Sequence, residues 1–96
     1  MVRRILLGLL LLTLASALAG EKTGTITVYN QTPKPIYVVI AGRNQGQIGA
    51  WSYDCYTVGI GEHRVEVSND VSSASKYVRV SETYPDNSWT VTPGEF

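Results

Sequence analysis

The sequence predicts an all-β fold: a small antiparallel β-sandwich or meander of six to seven short strands. Three observations carry that expectation. Apolar and polar residues alternate with period two in several runs, among them Thr25-Ile26-Thr27-Val28-Tyr29 and His63-Arg64-Val65-Glu66-Val67. That is the pattern of strands buried on one face. Clusters of Gly, Pro, Asn and Asp interrupt the chain at intervals of about ten residues, the spacing of small sandwiches and barrels. After an expected N-terminal signal helix, no ten-residue window holds the i, i+3, i+4 spacing of an amphipathic helix. The longest helical candidate, Asp70 to Tyr77, has three serines and no apolar stripe.

The elements follow in chain order. Residues 1–19 read as a secretory signal peptide: Arg3-Arg4, an apolar run from Ile5, and a small-residue end at Ala17-Leu18-Ala19. Cleavage is expected after Ala19, with a cut after Ala17 or retention as an N-terminal anchor as the alternatives. The apolar run of 15 residues ends at Gly20-Glu21-Lys22, short of the roughly 20 a spanning helix needs. Residues 20–96 then form a single small domain. Its strands are read at Thr25–Tyr29, Ile36–Ala41, a short one at Gln47–Gly49, Trp51–Val58, Glu62–Val67, Lys76–Val80 and Ser88–Thr92. Between them lie a Pro33/Pro35 turn, a hairpin connection at Gly42–Gly46, a Gly59-Ile60-Gly61 turn, a polar loop at Ser68–Ser75 and a loop at Thr83–Asn87. Ile36–Ala41 is apolar on both faces and reads as a central strand. Parity assigns the core to Ile26, Val28, Val38, Ile40, Ile48, Tyr56, Val58, Val65, Val67, Val78, Val80, Trp89 and Val91.

Composition excludes several function classes. The chain has 96 residues with eight Lys+Arg against eight Asp+Glu, so it carries no basic footprint for nucleic acid. Without residues 1–19, six basic residues stand against eight acidic ones, and the domain is mildly acidic. A single Cys makes no internal disulfide, and one Cys with one His makes no structural zinc site. A domain of this size buries only about 60% of its unfolded surface. It therefore needs an efficient core or a partner.

From Gly24 to Thr92 the order of strands and turns resembles small bacterial envelope domains of the PEGA type. The resemblance rests on Thr25-Ile26-Thr27-Val28-Tyr29-Asn30, on Ile36–Gly42 leading to a hairpin with Gly46, and on Gly61-Glu62-His63-Arg64-Val65-Glu66-Val67. The Pro-Glu-Gly-Ala tetrapeptide of that family is absent, and Ile60 stands where relatives often carry Pro. The resemblance implies an extracytoplasmic sandwich acting as a structural or binding module, with no catalytic residues to carry over.

The residues with chemistry point the same way. His63 needs an orienting carboxylate and a nucleophile to act as a base, but its neighbours Glu62 and Arg64 face the opposite side of the strand. It reads as a packed residue beside the Gly59–Gly61 turn, with one ring nitrogen hydrogen-bonded. Cys55 has three readings: a buried inert thiol, an intermolecular disulfide joining a dimer, or a nucleophile. Asn69-Asp70 and Asp86-Asn87 offer oxygen ligands but lack the count of a calcium loop, and read as turn formers. Asn30-Gln31-Thr32 fits a glycosylation acceptor but is followed by Pro33, and is read as a turn.

Aromatic residues are the enrichment that bears on function. Six Tyr, two Trp and one Phe all fall after residue 20. Tyr56 and Trp89 are assigned to the core, whereas Tyr37, Trp51, Tyr53 and Tyr84 form the candidate binding surface. The expected function is a secreted or periplasmic, non-enzymatic module without cofactor or metal. It binds an envelope protein or glycan, and in its mature form it has no membrane span. The alternatives are an inhibitor or effector presenting the Gly42–Gly46 or Ser68–Ser75 loop, and an accessory protein tethered through residues 5–19.

Overall fold

The structure is a computed structural model, and it describes residues 22–96. The signal peptide expected over residues 1–19 lies outside the described residues. Seven strands build two sheets: β1 (Thr23–Asn30), β2 (Ile36–Ile40), β3 (Arg43–Ile48), β4 (Tyr53–Gly59), β5 (Gly61–Ser68), β6 (Ser73–Val80) and β7 (Asp86–Val91). A 3-10 turn at Pro93–Glu95 follows. The described residues adopt the all-β fold expected from period-two alternation.

The topology differs from a meander. One sheet has three strands in the order β4-β1-β7, the other four in the order β3-β2-β5-β6. All pairs are antiparallel except β1 with β7, which run parallel from Thr25↔Asp86 to Asn30↔Val91. Alternation says which face of a strand is buried, but not which strand lies beside it. Here the chain changes sheet four times, between β1 and β2, β3 and β4, β4 and β5, and β6 and β7.

The core lies between the sheets and draws on all seven strands. Ile26, Val28, Ile36, Val38, Val65, Val67 and Val91 are wholly buried, and Ile40, Ile48, Tyr56, Val78, Val80 and Trp89 nearly so. Two assignments shift. Ile36 belongs to the core although it follows Pro35, because it shares the parity of Val38 and Ile40. Val58, near the end of edge strand β4, is only partly buried against the core. Central β2 also departs from expectation: it is buried on one face only, with Tyr37 exposed. Trp89 packs inward from β7, and the Lys76 ammonium reaches over its ring, 5.2 Å from the centroid. Lys76 thus closes that flank with its aliphatic stem while its charge stays near water.

Two connections are tighter than expected and a third is shifted. The β2–β3 hairpin turns on Ala41 and Gly42 alone, with φ of 52° and 81°, the two left-handed residues of a type I′ turn. Arg43–Gly46 is therefore strand, and Gln45 is the extra residue where the register with Val38 and Val39 shifts. The polar loop after β5 shrinks to Asn69–Ser72, because Ser73 and Ser75 sit on an edge strand whose outer face is solvated. Strand β7 begins at Asp86, directly after Pro85, so the loop before it spans Ser81–Pro85.

Candidate binding surface

The strand directions sort the loops into two ends. The Trp51 end gathers the finish of β1, residues 31–35, the Gly49–Ser52 turn, residues 69–72 and the 3-10 turn. The Pro85 end gathers the start of β1, the Ala41–Gly42 hairpin, Ile60 and residues 81–85. Of the four candidate residues, Trp51, Tyr53 and Tyr37 lie at or beside the Trp51 end. Tyr84 lies at the Pro85 end and joins no platform with them. All four are exposed: Trp51 67%, Tyr53 61%, Tyr37 49% and Tyr84 71%. Tyr37 is further separated because it lies on the outer face of the four-stranded sheet, whereas Tyr53 lies on the outer face of the three-stranded one.

Sequence reasoning missed the residue that builds the Trp51 end. Asn30 is wholly buried. Its Nδ2 donates to the carbonyls of Lys34 at 2.8 Å, Gly49 at 3.0 Å and Ile48 at 3.2 Å. Its Oδ1 accepts from the Thr32 N–H at 3.1 Å and from the Thr32 hydroxyl at 2.6 Å. Its own backbone N–H donates to the Ser52 carbonyl at 2.7 Å. One side chain therefore ties the Pro33/Pro35 turn to the β3–β4 connection, adding hydrogen bonds to the Lys34 and Gly49 carbonyls beside those from the Thr32 hydroxyl and the Ser52 N–H. The only signal in the sequence was an Asn closing a strand before Thr-Pro. With its amide consumed inside the fold, Asn30 is a turn residue and not an exposed glycosylation acceptor.

That network holds an unusual backbone. Ser52 N–H donates to the Gly49 carbonyl at 3.2 Å, closing a turn whose third residue is Trp51. Trp51 has φ of +60°, left-handed for a bulky residue, a conformation that persists only where its surroundings impose it. Asn30 supplies the imposition, gripping the Gly49 carbonyl through its side chain and the Ser52 carbonyl through its backbone. Two residues on, Tyr53 meets Tyr29 across the β1–β4 pair, with centroids 5.4 Å apart and rings tilted by 35°. The sequence marks Tyr29 only as a strand residue; its contact with Tyr53 follows from the pairing of β1 with β4.

The Trp51 end also carries shallow grooves. One of about 210 Å³ is lined by Thr32, Pro33, Lys34, Asn69, Pro93 and Phe96. It is smaller than the roughly 300 Å³ at which small-molecule sites begin. Its neighbour, of about 390 Å³, is an open trough lined by Lys34, Pro35, Tyr37 and Asp70. The exposed Lys34–Asp70 ion pair at 3.5 Å borders it; such a pair contributes little to stability.

The remaining candidates fall into place individually. Cys55 is exposed, which overturns its reading as a buried thiol: it shares the outer parity of Tyr53 and Thr57 on an edge strand. Its Sγ lies 3.5 Å from the Thr27 hydroxyl, and its backbone N–H donates to Asp54 Oδ1 at 2.9 Å. The His63 Nε2 lies 2.8 Å from the Gly59 carbonyl and ties the β4–β5 crossing together, as the packed reading anticipated. Asn69 Oδ1 accepts from the backbone of Val71 and Ser72, and Asn87 donates to the Tyr84 carbonyl, so both act as turn residues. Among the described residues no group of three or more His, Cys, Asp or Glu is placed to hold a metal ion. Tyr56 is the exception among buried polar groups: its hydroxyl has no hydrogen-bond partner. Burial pushes its phenol up to about 12, and the nearby charges of Asp54 and Cys55 add to the rise.

No model of a known protein family matches the chain, and no curated protein or solved structure does so.

Proposed function

We propose that the protein is a secreted or periplasmic, non-enzymatic β-sandwich module that binds a component of the cell envelope, protein or polysaccharide. The observation that carries this reading is the exposure of Trp51 and Tyr53 at one end of the sandwich, on a backbone that a buried side chain holds rigid. Large aromatic rings left in water mark surfaces that meet a partner. Strain kept at an exposed residue is a feature of binding sites. The leader-like segment at residues 1–19 supports an extracytoplasmic location, and the strand order from Gly24 to Thr92 supports a PEGA-like module. The inhibitor alternative loses ground, because most of its two presenting loops is strand.

The test is made on the protein purified from an extracytoplasmic fraction. Its mass is expected to correspond to a chain beginning at Gly20, and chemical crosslinking in intact cells is expected to join it to an envelope component. A chain of full mass in the membrane fraction would favour the tethered form. Failure to capture any envelope protein or glycan would remove the binding reading.

A further inference from the structure

We infer that the outer face of the β4-β1-β7 sheet is a docking platform for a neutral polysaccharide chain. The inference rests on the binding-module reading above and names its ligand. Strand pairing arranges nine outward residues of this face in three rows: Thr57, Thr25 and Asp86; Cys55, Thr27 and Ser88; Tyr53, Tyr29 and Thr90. Neighbours stand about 4.8 Å apart across the strands and about 6.6 Å apart along them. Five are Thr or Ser, two are the touching tyrosines, and the single formal charge, Asp86, sits in the row farthest from Trp51.

The outer face of the opposite sheet is different. It carries Glu62, Arg64 and Glu66 on β5 and Arg79 on β6, with Arg64 and Glu66 paired at 3.7 Å. Charge complementarity therefore separates the two faces. A charged polymer or a charged protein patch finds partners on the four-stranded sheet and almost none on the three-stranded one. Sugar rings match the latter: their apolar faces stack on tyrosine and tryptophan, and their hydroxyls exchange hydrogen bonds with Thr25, Thr27, Thr57, Ser88 and Thr90. Tyr29 and Tyr53 lie within the face, and Trp51 stands in the turn that leads into β4. A chain lying along the rows from Trp51 meets aromatic surface first and hydroxyls after it.

The single Cys of the sequence gives a direct probe, because it sits exposed in the middle row. Affinity electrophoresis is run through gels containing neutral polysaccharides (a β-glucan, a mannan, a galactan) or the anionic polymer alginate. The wild-type protein is expected to be retarded by at least one neutral polymer, to the same extent at low and high salt, and not by alginate. A bulky maleimide on Cys55 and the substitution Ser88→Lys should each abolish retardation while leaving the thermal transition in place. Tyr53→Ala should weaken it about tenfold or more. Tyr77→Ala, on the outer face of the other sheet, should change nothing. No retardation by any neutral polymer, retardation by alginate, or retardation that survives the Cys55 label would overturn the proposal. If crosslinking instead captures an envelope protein and the Cys55 label blocks that capture, the glycan is wrong and the binding module stands. If nothing is captured by any face, the module reading itself falls.

Discussion

At the end of the sandwich where β1 finishes, a buried amide holds three chain segments together; at the end where β1 begins, backbone packed directly on backbone does the same. Asn30 organises the first end through its contacts with Thr32, Lys34, Ile48, Gly49 and Ser52. At the second, Thr25 N–H donates to the Pro85 carbonyl at 2.8 Å, and Gly24 presses so closely that a Cβ there would meet the Pro85 oxygen and Val80 Cγ1. The difference is one of reach. A polar side chain spans several ångströms and fixes the left-handed turn that carries Trp51, whereas backbone contact draws its segments together directly, beside the turn that carries exposed Tyr84. The end built by the amide is the end that presents Trp51 and the Tyr29–Tyr53 pair.

The largest expected effect comes from removing the amide's donors. Asn30→Ala removes the hydrogen bonds to the Lys34, Ile48 and Gly49 carbonyls, although Lys34 keeps the Thr32 hydroxyl and Gly49 the Ser52 N–H, and it takes the Oδ1 acceptor from Thr32. At about 1 kcal/mol for each buried hydrogen bond lost, the expected loss is about 4 kcal/mol, a large share of the stability of a domain this size. Asn30→Asp keeps the shape and still accepts from Thr32 but cannot donate, so it should be nearly as damaging. Urea denaturation measures both. A loss below about 1 kcal/mol for either variant would mean that Asn30 does not organise this end.

Breaking the opposite end requires only a methyl group. Gly24→Ala drives a Cβ into the Pro85 carbonyl oxygen. Neither the Pro85 backbone nor the wedged Val80 can yield without opening the junction between β1 and the β6–β7 loop. Overpacking of this kind costs about 3 kcal/mol, and the thermal midpoint should fall accordingly. The effect should be less than that of Asn30→Ala, because a strand start can shift while a network of buried donors cannot be replaced.

These two residues also mark the limit of what could be read in the sequence. Period-two alternation located the strands and nearly all of the core, including inward Tyr56 and Trp89, because face assignment depends only on parity. Strand order depends on non-local pairing, so the parallel β1–β7 contact and the neighbouring of Tyr29 with Tyr53 were not legible. Strand β3 was largely hidden because Asn44, Gln45 and Gln47 are polar on both faces and a bulge breaks the alternation. Asn30 could be read as a turn residue but not as the link to the β3–β4 connection, because its partners at 48, 49 and 52 are distant in sequence, and Gly24 looked ordinary because its close neighbours are at 80 and 85. Of the candidate surface, the sequence left Tyr53 and Tyr37 open between core and surface and gave no sign that Tyr84 lies at the other end; all four are exposed.

Tyr56 lies between the two ends and sharpens the comparison through pH. Its hydroxyl is buried without a partner and its phenol is raised from 10.0 to about 12. The neutral form is favoured in the folded state, so its contribution is fully present below pH 10 and is lost as pH rises toward about 12. Tyr56→Phe removes both the orphaned hydroxyl and this titration. It should stabilise the protein by about 1 kcal/mol at neutral pH and flatten the fall in stability between pH 10 and 12. A variant less stable than wild type would show that the hydroxyl has a partner in solution.

The smallest effect tests whether the Trp51 turn is held in strain. A left-handed non-glycine residue costs about 1 kcal/mol, a penalty glycine does not bear. Trp51→Ala keeps the penalty and loses the exposed ring; Trp51→Gly loses both. Glycine's greater freedom in the unfolded chain offsets part of the relief, so Trp51→Gly should lie within about 1 kcal/mol of wild type. Ordinarily glycine is the less stable of the two substitutions, by roughly 0.5–1 kcal/mol. At position 51 the order should reverse, with glycine the more stable by a similar amount. If alanine proved the more stable, the turn would not hold residue 51 left-handed in solution, and the grip of Asn30 on Gly49 and Ser52 would not extend to the residue they flank. If the order reverses, the same buried amide that closes this end also fixes the backbone from which its most exposed tryptophan projects.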